Sequence, residues 1–198
     1  MSRSYIKAIK ECLPDVEIVF DRFHVIKLLN DAIDEVRKRI YQQLNQKSRK
    51  ALKNSRFLIL RNSSNLLPEE KARLEVIFEK YEVLGIAYLL KEGVKAIWNI
   101  RSPIKAREAF VNWALDVISL VIAEDNDQLK PLYSFARTLL NHLDGIMAYW
   151  RHQISNGRAE GLNNKIKTLK RQAYGFRDDD YFKLRLYHLH AQKHRLSG

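Results

Sequence analysis

The chain of 198 residues is 46% hydrophobic, 10% aromatic and 29% charged, which suits one medium domain, or one domain with a large insertion, and excludes a disordered chain. Its 35 Lys and Arg against 23 Asp and Glu give a net charge of +12, so a polyanion is the first partner to consider. The single cysteine, Cys12, excludes a disulfide framework and a Cys-rich zinc site; with no signal-peptide core and no bilayer-length apolar run, a reducing cytoplasmic setting without membrane is expected.

Seven Gly and four Pro leave few turns and favour helices over an all-β fold. Residues 2–12 carry Tyr5, Ile6 and Ile9 at helical spacing, and Pro14-Asp15 ends that helix. Val16-Glu17-Ile18-Val19-Phe20 is a β-branched run between two Asp residues and predicts one short strand, 16–20. Phe23 to about Asn45 predicts a long helix, with Val25, Leu29, Ile33, Val36 and Ile40 on its apolar face and Lys27, Asp31, Asp34, Glu35, Lys38 and Arg39 opposite. Residues 47–61 give no clear pattern, and 62–65 form a loop. Pro68 opens a helix to about Glu79, and a further helical stretch covers 81–99. Ser102-Pro103 caps a helix to about Ala123, and another runs from about 128 to 150. Residues 154–158 form a turn, a basic helix follows at 159–171, then a loop to Asp178 and a last helix over 180–194. A lone strand leaves its backbone groups unpaired, so it pairs with a second copy, is misassigned, or has neighbours in a longer parent chain.

Three constellations carry chemistry. The first is Asp21 at the end of the predicted strand, with His24 three residues on. That place in an α/β sheet is where ligands bind. Alternatively, Asp21 caps the next helix through the Phe23 or His24 N–H, and His24 is a packing residue. The second is Ser155-Asn156-Gly157-Arg158-Ala159-Glu160, which delivers a helix N-terminus with Glu160 in its first turn. A carboxylate there can bind a divalent cation. Asn163, Lys167, Lys170 and Arg171 then recur on or beside one face, a stripe able to neutralise phosphates. From Arg151 to Gly198 there are 11 Lys or Arg and 4 Asp or Glu, a net of +7 that places more than half the excess charge in the last quarter. The bland alternative is a solvated basic face. The third is Tyr174-Gly175-Phe176-Arg177, whose aromatics either stack on bases or close the core. His190 and His194 are spaced to chelate zinc, but the HExxH glutamate is absent.

Together these pieces resemble the DDE-type transposases of bacterial insertion sequences, the ISL family. The resemblance runs through Met1-Ser2, Tyr5, Ala8-Ile9, Pro14 and Ile18-Val19-Phe20-Asp21-Arg22-Phe23-His24-Val25-Ile26-Lys27. It continues at Asn30, Asp34, Val36-Arg37, Leu89-Leu90-Lys91-Glu92, Ile97-Trp98 and Trp113. It closes with Asn156 to Lys167 and with Lys170 to Arg177. The two end motifs are long and specific, and the helical middle is looser.

The resemblance implies a mostly α chain: the C-terminal fragment of a ribonuclease-H-like α/β domain with a large helical insertion. Residues 1–45 would be the partial ribonuclease-H-like segment, 46–150 the insertion, and 151–198 the catalytic-Glu helix with its basic extension. Glu160 looks like the closing, metal-binding Glu of the Asp-Asp-Glu triad. Asp21 and His24 look like the supporting Asp-x-x-His element; an alternative alignment makes Asp21 the second triad member. Arg158, Asn163, Lys165, Lys167, Lys170, Arg171 and Arg177 would hold DNA. The first two catalytic Asp residues would lie before Met1, so the chain is expected to be truncated and inactive alone. In the intact parent the reaction would be Mg²⁺- or Mn²⁺-dependent cleavage and strand transfer at insertion-sequence ends. Further partners would be a second copy or the full-length transposase, in the nucleoid. The rival expectation is a non-catalytic DNA-binding or assembly module that interferes with the full-length enzyme.

Overall fold

Apolar residues at helical spacing, rarely interrupted by Gly or Pro, fold most of the chain into α-helices. The structure is a computed structural model that describes residues 3–154, 157–175 and 177–191. The chain divides into two compact units, residues 1–154 and 155–198.

The first unit contains α1 (Arg3–Cys12), α2 (Arg22–Gln43), α3 (Gln46–Leu52), α4 (Arg56–Leu60), α5 (Pro68–Lys80), α6 (Glu82–Ile97), α7 (Pro103–Glu124), α8 (Lys130–Asn141) and α9 (Leu143–His152). Single 3₁₀ turns occupy Ser63–Asn65 and Asp127–Leu129. The second unit contains α10 (Gly157–Gln172) and α11 (Asp179–Ala191). Asp21, Asn45 and Ser102 cap α2, α3 and α7 with side-chain oxygens, and Pro68 and Pro103 stand in first turns where no N–H is needed.

The predicted strand over 16–20 is corrected. No strand occurs among the described residues, and 16–20 is irregular chain laid against α9. It is tied there by the Phe20 N–H donating to the Gly145 carbonyl at 2.9 Å and by the Glu17 carboxylate, which meets Arg151 and His152 of α9. The approach requires glycine: a Cβ on Gly145 would stand 2.6 Å from the Phe20 ring and 2.9 Å from the Ile18 carbonyl oxygen. The single helix expected over 128–150 is also corrected. It is α8 and α9, broken at His142, where Phe20 packs edge-on against the imidazole at 5.2 Å.

The core of the first unit is one cluster. From α2 it takes Val25, Leu29, Ile33, Val36 and Ile40, packed against α6 and α8. Trp98 stacks on Trp150 at 4.9 Å and meets Phe110 and Tyr149 edge-on. Trp113 donates to the Leu90 carbonyl and Trp150 to that of Ile100, so these two indole N–H groups are satisfied as they tie segments together, whereas the buried Trp98 Nε1 has no hydrogen-bond partner among the described residues. Asp34 departs from the amphipathic reading. It is buried, and its carboxylate meets Arg37 at 2.8 Å and Arg56 of α4 at 3.1 Å. It therefore joins α2 to α4.

Lys91 is fully buried, one of the largest such side chains among the described residues. Its Nζ donates to the Ile59 and Arg61 carbonyls at 2.6 and 2.9 Å, lies 3.0 Å from Glu92, and sits 4.0 Å from the centre of the Tyr88 ring. The last carbonyls of the five-residue helix α4 are thus capped from α6, because so short a helix cannot satisfy them itself.

Candidate functional site

The first predicted site element is the N-terminus of α2. Asp21 accepts the Phe23 N–H on Oδ1 at 2.9 Å, so one carboxylate oxygen serves as the helix cap. This is the structural role foreseen for it. His24 is half-buried in the next turn, with its ring edge-on to Phe23 at 5.6 Å. Beside this N-terminus lies an open cleft of about 600 Å³. Asp21, Arg22 and Phe23 line it from α2, Asn62 from the loop after α4, and Glu92 and Lys95 from α6.

Its polar wall is a connected chain of charges. Ser63 donates to Glu92 at 3.0 Å, Lys95 reaches Glu92 at 3.3 Å, and Lys95 also contacts Asn62. Burial opposes ionisation of Glu92, but the Lys91 and Lys95 ammonium groups and the Ser63 hydroxyl together hold it below the usual carboxylate range. Burial also lowers Lys91, to about 8, with repulsion from Lys95 adding to the effect. Burial and the negative Glu92 push the Tyr88 phenol up. Sequence reading missed this wall, although Lys91-Glu92 was among the residues of the resemblance. A charge at an otherwise apolar helical position was the available signal.

The second element is α10. Glu160 stands half-buried in its first turn, where a carboxylate complements the helix dipole, and Arg158 is in the same turn. Asn163, Lys165, Lys167, Lys170 and Arg171 are exposed, as is Arg177 beyond the helix. Asn163, Lys167 and Lys170 share one face, with Arg171 adjoining. Lys165, two residues from Asn163, projects from the opposite side. The stripe keeps to one side of the helix, with Leu169 buried and Ile166 half-buried away from it and Lys165 apart from it. The Lys170 Nζ lies 4.8 Å from the centre of the Phe182 ring, which fastens α10 to α11.

The helix ends in a Schellman-type turn. The Gly175 N–H donates to the Lys170 carbonyl and the Tyr174 N–H to that of Arg171, both at 3.1 Å. Tyr174 is left-handed (φ 50°) and fully exposed, so it does not close a core. Ser155, Asn156, Phe176 and His194 lie outside the described residues, and so does any His190–His194 pair.

Asp21 and His24 belong to the first unit and Glu160 to the second. The DDE chemistry implied by the resemblance uses divalent metal held by several carboxylates. Among the described residues, no group of three or more His, Cys, Asp or Glu stands together to hold such an ion. The described donor set therefore does not by itself fit a two-metal centre. No helix among the described residues is long and apolar enough to cross a membrane.

The chain spans less than half the length of the curated relatives it matches. It is 35% identical to the transposase of insertion sequence element IS1001 from Bordetella parapertussis, over 94% of this chain and 45% of that protein. It is 25% identical to the transposase of IS1557 from Mycobacterium tuberculosis H37Rv, over 85% and 41%. A 50-residue stretch, a quarter of this chain, is 50% identical to part of a Lactococcus lactis protein named an ATP-dependent protease; it covers 16% of that protein and carries no argument about function. No solved structure matches. The ISL3 model of the DDE transposases, described as "Transposase", matches residues 1–186, which include both end motifs and the helices between them. With that match over most of its length, the chain belongs to the ISL3 family of DDE transposases.

Proposed function

We propose that this chain is the C-terminal part of the ribonuclease-H-like catalytic unit of an insertion-sequence transposase. Residues 1–45 continue that fold, 46–150 form its helical insertion, and 151–198 carry the catalytic-Glu helix and its basic extension. In the whole protein the reaction is divalent-metal-dependent cleavage of DNA and strand transfer at the element's ends. Glu160 is the carboxylate this chain contributes, with Asp21 and His24 bracing the site. Arg158, Asn163, Lys165, Lys167, Lys170, Arg171 and Arg177 hold phosphates.

One observation carries the reading: Glu160 opens a helix whose exposed cations, Lys165, Lys167, Lys170 and Arg171, follow it within three turns. They do so in a chain of a transposase family. The carboxylates that metal chemistry needs beyond Glu160 come from outside the chain on this reading. The chain alone then binds DNA without cutting it. The same cationic helix needs no metal to bind a phosphate backbone, which favours the second reading of a DNA-binding or assembly module that competes with the full-length enzyme.

The test is fluorescence anisotropy with a labelled duplex between about 50 and 200 mM salt, the range over which phosphate-dominated affinity falls steeply. Binding is expected to weaken linearly in log–log form. Lys167→Ala with Lys170→Ala should reduce the slope by about 1.8, two phosphates at about 0.9 each. An unchanged affinity and slope would show the phosphate assignment to be wrong.

A further inference from the structure

The longest stretch of chain without Asp or Glu, residues 36–68, lies in the first unit and carries nine Lys or Arg. Six of the nine are occupied within the fold. Arg37, Lys38 and Arg56 meet Asp34, Arg39 lies against Glu35, and Arg61 holds Glu70. Arg49 donates to the Tyr41 and Gln42 carbonyls at the end of α2, both at 3.2 Å. The other three, Lys47, Lys50 and Lys53, are exposed and form no ion pair among the described residues.

Lys47 and Lys50, three residues apart, share the outward side of α3, and Lys53 follows at its C-cap. The inward side is held by its neighbours. Leu52 is buried, and the Ser48 carbonyl accepts the Tyr81 hydroxyl at 3.0 Å. The Lys53 carbonyl accepts the Arg73 guanidinium of α5 at 2.9 Å, which brings a fourth exposed cation beside Lys53, also without an ion pair among the described residues. Helix stability does not ask for this arrangement. A helix of seven residues depends on its contacts. Lys47 in its first turn opposes the helix dipole, with no acidic residue there to offset it. Like charges one turn apart repel. Departures of this kind from local rules concentrate at functional sites. A membrane surface fits poorly, because an interfacial helix needs an apolar face and α3 turns Gln46, Lys47 and Lys50 outward. A nucleic-acid backbone fits well, because its closely spaced phosphates take several cations at once.

We propose that Lys47, Lys50 and Lys53, with Arg73 beside them, form a second DNA-backbone contact surface, carried by the first unit in addition to that of α10. The proposal rests on the chain binding DNA, but not on the α10 assignment. Three lysine–phosphate contacts contribute about 2.7 to the log–log salt slope, at about 0.9 each.

The test is anisotropy of a labelled duplex with the full chain and with a triple variant, Lys47→Gln, Lys50→Gln and Lys53→Gln, between about 50 and 200 mM salt. The variant should keep its far-UV circular dichroism, since all three side chains are exposed, and its slope should be lower by about 2.7. The wild-type advantage then shrinks about 40-fold across that range. Arg at the same three positions should restore the slope. Lys10→Gln, Lys27→Gln and Lys105→Gln together remove the same charge from exposed sites on α1, α2 and α7, and should lower the slope by less than one contact, about 0.9. Independently of any variant, duplex DNA should protect Lys47, Lys50 and Lys53 of the native chain from acetylation by an N-hydroxysuccinimide ester, read by mass spectrometry; this measurement decides if the Gln variant loses its helicity. An unchanged slope in the folded Gln variant, an equal loss in the control variant, or equal acetylation with and without DNA would overturn the proposal. If Lys167→Ala with Lys170→Ala lowers the slope and the α3 variant does not, the α3 surface alone is refuted. A chain that binds no duplex DNA refutes the DNA reading and this surface with it.

Discussion

Replacing Lys91 by Met removes a buried charge while keeping an unbranched side chain of similar length. Two effects oppose. The fall of the Lys91 pKa from 10.5 to about 8 means that the fold disfavours its charged form by roughly 3 kcal/mol, a penalty that Met escapes. Met also abandons the buried Ile59 carbonyl and the partly buried Arg61 carbonyl, at about 1–3 kcal/mol each, and the contact with the Tyr88 ring, at about 1 kcal/mol. The losses sum to about 5 kcal/mol, so K91M should be less stable by about 2 kcal/mol near pH 7. The sign of the pH dependence follows from the depressed pKa. Between about 8 and 10.5 the unfolded chain holds the Lys91 proton and the folded chain does not, so wild-type stability rises with pH in that window. K91M lacks that rise, and the gap between the two should widen by about 2 kcal/mol from pH 7 to 9.5. Urea denaturation at several pH values, all below 10, measures this without titrating Tyr88, whose raised pKa lies higher. A gap that is absent at pH 7, or constant from pH 7 to 9.5, would refute the buried-charge account.

Asp34→Asn should cost about 1–3 kcal/mol, because the Arg37 and Arg56 guanidinium groups lose the carboxylate that joins α2 to α4; thermal melts with Asp31→Asn, an exposed position on the same helix, as control would reveal it. Gly145→Ala should destabilise by about 1–3 kcal/mol, since its methyl would meet the Phe20 ring and Ile18 carbonyl. Gly161→Ala, which meets nothing within 4 Å, should be neutral or up to about 1 kcal/mol stabilising; equal effects at the two glycines would count against the docking of 18–20 on α9. Below pH 5, stability from Glu92 should be lost as pH falls from its usual 4.5 through its lower folded value, and Glu92→Gln should flatten that limb of the curve.

Helices with both a start signal and a sustained period were readable from residues alone: Asp21 before α2, Pro68 in α5, and Ser102-Pro103 at α7 each carry their own boundary. The elements that misled take their form from tertiary contacts. Val16 to Phe20 has the β-branched pattern of a strand, but Ile18, Val19 and Phe20 are only half-buried and no neighbouring strand pairs with them among the described residues. The apolar period continues across His142, so nothing local marks the break where Phe20 packs. Asp34 occupies a polar helical position that becomes interior because Arg56 closes over it, and Lys91 is interior because α4 ends on it. On the candidate site, the register of Asn163, Lys167 and Lys170 was legible because helix spacing alone fixes it. The Lys170–Phe182 contact and the left-handed Tyr174 were not, since both depend on how the chain turns after α10.

The most direct test of the transposase reading is nicking of supercoiled plasmid by the purified chain, with Mg²⁺ and with Mn²⁺, beside Glu160→Ala. The account predicts salt-sensitive DNA binding by both proteins and no nicking by either. Metal-dependent nicking that disappears with Glu160→Ala would contradict it, because the chain would then hold a complete catalytic centre of its own.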